Sequence, residues 1–110
     1  MPPQMVSIPE LNVPQAEVAA FCQQWQISRL EVFGSILRDD FDPLHSDVDL
    51  LVTFLPSARW TLFDLAAMRE AASAIFSRRV DLVERQAVER SPNPIRRSAI
   101  LKSARVIYAT

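Results

Sequence analysis

The sequence of 110 residues contains one cysteine, one histidine and one glycine. The scarcity of cysteine and histidine excludes internal disulfides and several kinds of metal site. Cys22 alone can form no internal disulfide and no thiolate metal site. Its apolar neighbours predict a buried, unreactive thiol. His45 has no second histidine or cysteine to complete a zinc site, so we interpret it as a loop residue.

The chain also lacks a long apolar run and an excess of charge of either sign. No stretch is long enough to span a bilayer, and the proline-rich start has neither the basic region nor the apolar core of a signal peptide. The 12 Lys and Arg residues and 13 Asp and Glu residues give a formal net charge of −1, which argues against general binding to nucleic acid or to membrane surfaces. We therefore expect a cytoplasmic protein without membrane association or direct nucleic-acid binding.

The apolar pattern predicts one α/β domain after an extended segment. Prolines at positions 2, 3, 9 and 14 favour an extended chain over residues 1–14, and residues 15–110 have the size of one small domain. The predicted elements are a helix over 15–25, a strand over 28–33, helical turns over 36–40, a strand over 47–55, a helix over 61–77, a strand over 80–84 and a helix after Pro92, with 106–108 a short strand or the end of that helix. This order implies a small α/β (α+β) sheet with helices packed on one side.

Three aspartates stand in the predicted strands. Asp47 and Asp49 are two residues apart, so their side chains point to the same face, with Cα atoms roughly 7 Å apart. Asp81 lies between two apolar residues of a later strand. If the strands are neighbours, the three carboxylates converge, and a divalent cation would remove their mutual repulsion. Each aspartate alone is more often a solvated strand residue, but the combined pattern favours metal binding.

Gly34 and Ser35 leave the first strand and enter the predicted helical turns. Glycine lets the backbone approach an anion closely, and the free amides of a helix start can bind phosphate. The Ser35 hydroxyl can donate to a phosphate oxygen, and Arg38, one turn later, supplies a charged fork. A turn glycine followed by an ordinary N-cap serine has the same sequence, so this signal depends on the carboxylates downstream.

Two arginine pairs concentrate the positive charge. Arg78-Arg79 and Arg96-Arg97 could contact nucleotide phosphates or an acidic partner. Such pairs more often form a solvated face, so we predict no catalytic role for them.

In combination, these motifs resemble the minimal nucleotidyltransferases, the short members of the DNA polymerase β-like superfamily. The segments that carry the resemblance are Phe33-Gly34-Ser35, Arg38, Ser46–Val52 and Arg79–Val83. The family is often found as the antitoxin partner of a HEPN-domain toxin. The resemblance implies a mixed sheet with the site at its edge, ATP bound with magnesium, and transfer of a nucleoside monophosphate to a hydroxyl.

The resemblance also implies a role for each motif residue. Gly34 and Ser35 would hold the nucleotide triphosphate, with Arg38 beside them. Asp47 and Asp49 would ligate both of two magnesium ions, and Asp81 would ligate the catalytic ion and help to activate the attacking hydroxyl. In the antitoxin branch that hydroxyl belongs to a toxin tyrosine, and the added AMP silences the toxin's ribonuclease.

Two functions follow from the resemblance. The first is magnesium-dependent transfer of AMP from ATP to a protein hydroxyl of a cognate HEPN toxin, with modification of a small molecule as a weaker version. The second is an antitoxin that neutralises its toxin by binding, with a weak or inactive nucleotide site. Complete acidic motifs favour the enzyme.

Overall fold

A computed structural model of the protein describes residues 13–34 and 47–110. The elements are α1 (Gln15–Gln24), β1 (Ile27–Phe33), β2 (Val48–Phe54), α2 (Leu62–Phe76), β3 (Val80–Glu84), α3 (Arg85–Glu89), α4 (Pro94–Ser103) and β4 (Arg105–Ala109). The four strands form one sheet in the order β3-β2-β1-β4. β1 runs antiparallel to both β2 and β4, whereas β2 and β3 are parallel. The predicted small mixed sheet is confirmed.

The long elements begin and end close to their predicted limits because local signals fix them. The Thr61 hydroxyl accepts from the Asp64 amide at 3.2 Å, and the Asp64 carboxylate accepts from the Thr61 amide at 2.8 Å. This capping box starts α2 where the sequence placed an N-cap. The segment 106–108 is part of a strand, because β4 pairs with β1. The predicted helical turns at 36–40 lie outside the described residues, as do residues 1–12 of the predicted extended segment.

Helices cover both faces of the sheet. On one face α1 and α2 contribute Val18, Phe21, Met68, Ala72 and Phe76 to the main core. On the other face, side chains from α3 and α4 surround Phe33 and Leu51 in a smaller cluster. α1 and α2 lie on one side of the sheet, as predicted. α3 and α4 cover the other side, where the sequence predicted no helix. The five-residue α3 is too short to show a helical period in the sequence.

Among the helices of the described residues, none combines the length and apolar character that crossing a bilayer requires.

Cys22 is fully buried in the main core, as predicted. Burial raises the pKa of its thiol to about 12. Because the thiolate is the reactive species, we expect Ellman's reagent at pH 8 to modify the folded protein roughly a hundredfold or more slowly than the urea-unfolded protein. Absorbance of the released thiolate measures both rates, and Cys22→Ala provides the blank. Equal rates would show that α1 does not shield this thiol.

Glu31 is the buried charged side chain of the described core, with 2% of its surface exposed. Its carboxylate accepts from Arg85 Nη1 at 2.7 Å and lies 3.1 Å from Arg29 Nε. The pair with Arg85 joins β1 to the first residue of α3, whereas Arg29 lies on β1 itself. The Arg85 pair therefore helps to hold α3 over the second face of the sheet.

Glu31→Ala is expected to lower the free energy of unfolding by about 3 kcal/mol, because Arg85 is left without its buried partner. Glu89→Ala is the matched control. Glu89 lies 3.8 Å from the same guanidinium, but half of its side chain is exposed, so its loss should cost less than about 0.5 kcal/mol. Urea unfolding of the three proteins measures both values. Similar values for the two variants would contradict a structural role for the Glu31 pair.

Candidate functional site

The pairing of β2 with β3 brings two of the predicted carboxylates side by side. The strands are parallel neighbours, and Asp49 is the register partner of Asp81. Neighbouring strands lie about 4.8 Å apart, and paired residues project from the same face. The sequence prediction required these two strands to be neighbours, and they are.

Asp47 stands immediately before β2, two residues from Asp49. The backbone is held there, because the Val48 amide donates to the Arg79 carbonyl at 2.9 Å. A separation of two residues puts side chains of an extended chain on one face, which is the relation that the sequence predicts for Asp47 and Asp49. Val48 and Leu50 are fully buried in the main core, as the alternation predicts. The face of β2 that carries Asp49 also carries Leu51, which is buried in the smaller cluster, so the candidate site adjoins that cluster.

The three aspartates differ in exposure. Asp47 and Asp49 are half-buried, whereas Asp81 is exposed on an outer strand of the described sheet. The side of the candidate site that is open to solvent therefore lies at Asp81.

Gly34 directly follows β1, where Phe33 pairs with Asp49. Its φ of +83° lies in the left-handed region that favours glycine. A Cβ at this position would collide with Asp49 Oδ2 and would lie 3.2 Å from Asp49 Cγ. The absence of a side chain therefore lets the Asp49 carboxylate rest against the backbone. The sequence predicted close approach of a nucleotide phosphate here; in the structure the Asp49 carboxylate lies against this backbone, and the phosphate contact stays a prediction.

The remaining predicted nucleotide contacts, Ser35 and Arg38, lie outside the described residues. Their roles stay predictions.

The donor atoms of the site fit magnesium by their chemistry. Within residues 13–34 and 47–110, no three Asp, Glu, His or Cys side chains form a group that could hold a metal ion. Magnesium does not require such a complete protein cage, because it usually takes one or two carboxylates together with phosphate oxygens and water. Asp49 and Asp81 in register, with Asp47 two residues away, supply carboxylate ligands of this kind. The metal-binding roles of the three aspartates remain predictions.

A cavity of about 680 Å³ lies between these strands and α4. Its volume is within the range of small-molecule sites. The sheet side of the lining consists of Phe33, Gly34, Asp49, Asp81, Leu82 and Val83, and the α4 side consists of Arg96, Ala99, Ile100 and Ser103. The sequence prediction included the glycine and the carboxylates but missed the α4 wall. The signal was present, since positions 96, 99, 100 and 103 share one face of a helix.

A second cavity, of about 310 Å³, lies between α2 and β3. Asp81 lines both this cavity and the larger one. Leu82 and Val83 also line both cavities, so β3 is the wall that separates them.

Comparison with known proteins gives a consistent picture. Residues 18–107 match a family model described as a nucleotidyltransferase domain. A solved structure of a putative minimal nucleotidyltransferase is 31% identical, with a TM-score of 0.56, over 82% of this chain and 85% of the other. No curated protein sequence matches the chain significantly.

Two further solved structures show the same fold at lower identity. A chain of a toxin–antitoxin crystal structure with AMP-PNP is 13% identical, with a TM-score of 0.64, over 88% of this chain and 74% of the other. A chain of a complex between the tri-AMPylated Shewanella oneidensis HEPN toxin and an MNT antitoxin is also 13% identical, with a TM-score of 0.57, over 87% of this chain and 70% of the other.

Proposed function

Because the chain belongs to the nucleotidyltransferase family, as a minimal nucleotidyltransferase, we propose that it transfers AMP from ATP to a hydroxyl group of a partner protein. The observation that carries this proposal is the register pairing of Asp49 with Asp81 beside Gly34, at one wall of the 680 Å³ cavity. Carboxylates so placed can hold magnesium against the phosphates of a bound nucleotide.

In the proposed reaction, the acceptor oxygen attacks the α-phosphorus of ATP. The bond from that phosphorus to the bridging oxygen breaks, AMP becomes esterified to the acceptor, and pyrophosphate leaves. Asp47 and Asp49 would hold two magnesium ions, and Asp81 would hold one of them. Magnesium, when bound, offsets the charge that develops on the attacking and leaving oxygens. Gly34, Ser35 and Arg38 would hold the triphosphate.

Asp81 is the residue proposed to take the acceptor's proton. Its side chain is exposed at the rim of the 680 Å³ cavity, so an acceptor hydroxyl can reach it from solvent. A general base must lie within hydrogen-bond reach of the hydroxyl it deprotonates. The exposure of Asp81 allows that contact.

We propose a HEPN-domain toxin as the partner and one of its tyrosines as the acceptor, so that this chain acts as an antitoxin. The fold similarity to a chain of the tri-AMPylated HEPN toxin–MNT antitoxin complex supports this choice. The similarity to a chain from a toxin–antitoxin structure with AMP-PNP supports an adenine nucleotide as the second substrate.

A second candidate function is neutralisation of the toxin by binding alone. It is favoured by one observation, that the Asp49 carboxylate lies against the Gly34 backbone, where the sequence predicted a nucleotide phosphate. In this function the carboxylates would be inherited features of the fold, and their removal would leave inhibition of the toxin unchanged.

The test is to incubate the protein with ATP, magnesium and a HEPN protein encoded beside it, and to measure the partner's mass. We expect a gain of one or more AMP units, lost in Asp47→Ala and Asp49→Ala. Glu70→Ala, which removes an exposed carboxylate of α2, is the control and should retain the gain. No gain in mass, with inhibition surviving both aspartate substitutions, would establish the binding antitoxin instead.

A further inference from the structure

We propose that Arg96 of α4 binds the triphosphate of the nucleotide from the side of the cavity opposite Asp49 and Asp81. This inference rests on the proposed function for the identity of the ligand. It goes further by assigning α4 to the nucleotide site and by giving one arginine of the Arg96-Arg97 pair a ligand.

The placement of Arg96 follows from the face of α4 that it shares. Arg96, Ala99, Ile100 and Ser103 all line the 680 Å³ cavity. Their spacing of three and four residues puts them on one side of the helix. Arg96 is exposed and is the cationic member of this set. Arg96 therefore borders the same cavity as Asp49 and Asp81.

α4 is fixed in place independently of any ligand. Asn93 Oδ1 accepts from the amides of Ile95 and Arg96, both at 3.1 Å. Ile100 packs against the cluster of Phe33, Leu51 and Val88. The cap fixes the start of α4 and the apolar contact fixes its position on the sheet. A ligand that binds to the cavity face of α4 therefore does not have to order the helix first.

Neighbouring Arg97 has a different role. Its Nη1 donates to the Ser91 carbonyl at 2.7 Å, so this half-buried side chain closes the turn before α4. Within the described part of the chain, Arg96 makes no side-chain hydrogen bond or ion pair. Of the two arginines, Arg96 is thus the one available to an anion in the cavity.

Charge explains why an anion belongs there. ATP carries about four negative charges, which two magnesium ions offset, so the three aspartates would leave the loaded site negative. A guanidinium on the opposite wall reduces that excess and forms paired hydrogen bonds with phosphate oxygens. The described lining of the cavity offers this cation at Arg96.

Calorimetric titration without the partner protein tests the inference. Wild type, Arg96→Ala, Arg96→Lys and Lys102→Ala are titrated with ATP in magnesium, and separately with inorganic tripolyphosphate in magnesium. Arg96→Ala should weaken the binding of both ligands by about tenfold or more. Arg96→Lys should fall between that variant and wild type, because it keeps the charge and loses the fork. Lys102→Ala removes an exposed α4 cation that does not line the cavity and should change affinity less than about twofold.

The outcomes separate this inference from the function on which it rests. If wild type binds ATP and Arg96→Ala binds it equally well, the Arg96 assignment fails and the proposed transfer reaction stands. If Arg96→Ala loses affinity for ATP but not for tripolyphosphate, Arg96 contacts the nucleoside and the triphosphate assignment is wrong. If wild type binds neither ligand, both proposals are overturned. Circular dichroism and urea midpoints check that the variants fold.

Discussion

Asp81→Asn is expected to lower the rate of nucleotide transfer by about a thousandfold while leaving the fold intact. The substitution preserves shape but removes both the charge that would ligate magnesium and the base that would accept the hydroxyl proton. Asp81 is exposed and paired in register with Asp49. Removing one of two neighbouring like charges should therefore keep or raise the stability of the metal-free protein. Single-turnover transfer and urea unfolding measure the two effects.

Glu84→Gln is the matched control for this substitution. Glu84 is an exposed carboxylate on the same strand, and it lies three residues from Asp81, so alternation puts it on the opposite face. Its neutralisation should leave the transfer rate within about threefold of wild type. A similar loss in both variants would point to a general effect of charge on β3. Retention of the rate in Asp81→Asn would remove Asp81 from the proposed mechanism.

Gly34→Ala is expected to lower the transfer rate by about a hundredfold and the free energy of unfolding by about 2 kcal/mol. Two physical causes add here. An alanine is strained at a φ of +83°, and its Cβ would occupy the position of Asp49 Oδ2. The strain affects stability, whereas displacement of the Asp49 carboxylate affects the geometry of the proposed metal site.

The two causes can be separated by measuring both quantities on the same protein. Urea unfolding gives the change in stability, and magnesium dependence of transfer gives the change at the carboxylate. We expect the magnesium concentration at half-maximal rate to rise in Gly34→Ala. A loss of stability with unchanged magnesium dependence would show that Gly34 serves only the backbone conformation of the turn.

The aspartates were predictable from the sequence because strand alternation is a strict rule. Two residues of separation put Asp47 and Asp49 on one face, and the apolar neighbours of Asp81 marked it as a strand residue. The adjacency of β2 and β3 was not predictable from periodicity. It depends on tertiary packing of α2, which connects the two strands, and only the family resemblance indicated it.

The helices on the second face were missed although the sequence contained a sign of them. Leu50, Leu51 and Val52 are consecutive apolar residues and are all buried. A run of this kind indicates a strand covered on both faces, whereas the prediction placed helices on one side. The covering elements were hard to identify because α3 is five residues long and none of the α4 residues is fully buried.

Arg96 shows a limit of a different kind. In the sequence it is half of an arginine pair, and such pairs more often face solvent. The distinction between Arg96 and Arg97 arises from the turn at Ser91, which engages one guanidinium and leaves the other on the cavity side of the helix. Helical spacing separates Arg96 from Arg97, but the sequence does not show that the face of Arg96 borders a cavity.

The position of β3 has a consequence for the dynamics of the site. In the sheet of the described residues, β3 is one of the two outer strands, and its neighbour in the sheet is β2. Outer strands detach in local fluctuations that cost less free energy than global unfolding. Each detachment would carry Asp81 away from Asp49 and dismantle the site for as long as it lasts. A nucleotide and its ions bridging the two strands would oppose that motion by mass action. Amide hydrogen exchange in β3 should then be slower in the nucleotide-bound protein than in the unliganded protein. Such slowing would show that the substrate stabilises the edge of the sheet at which it reacts.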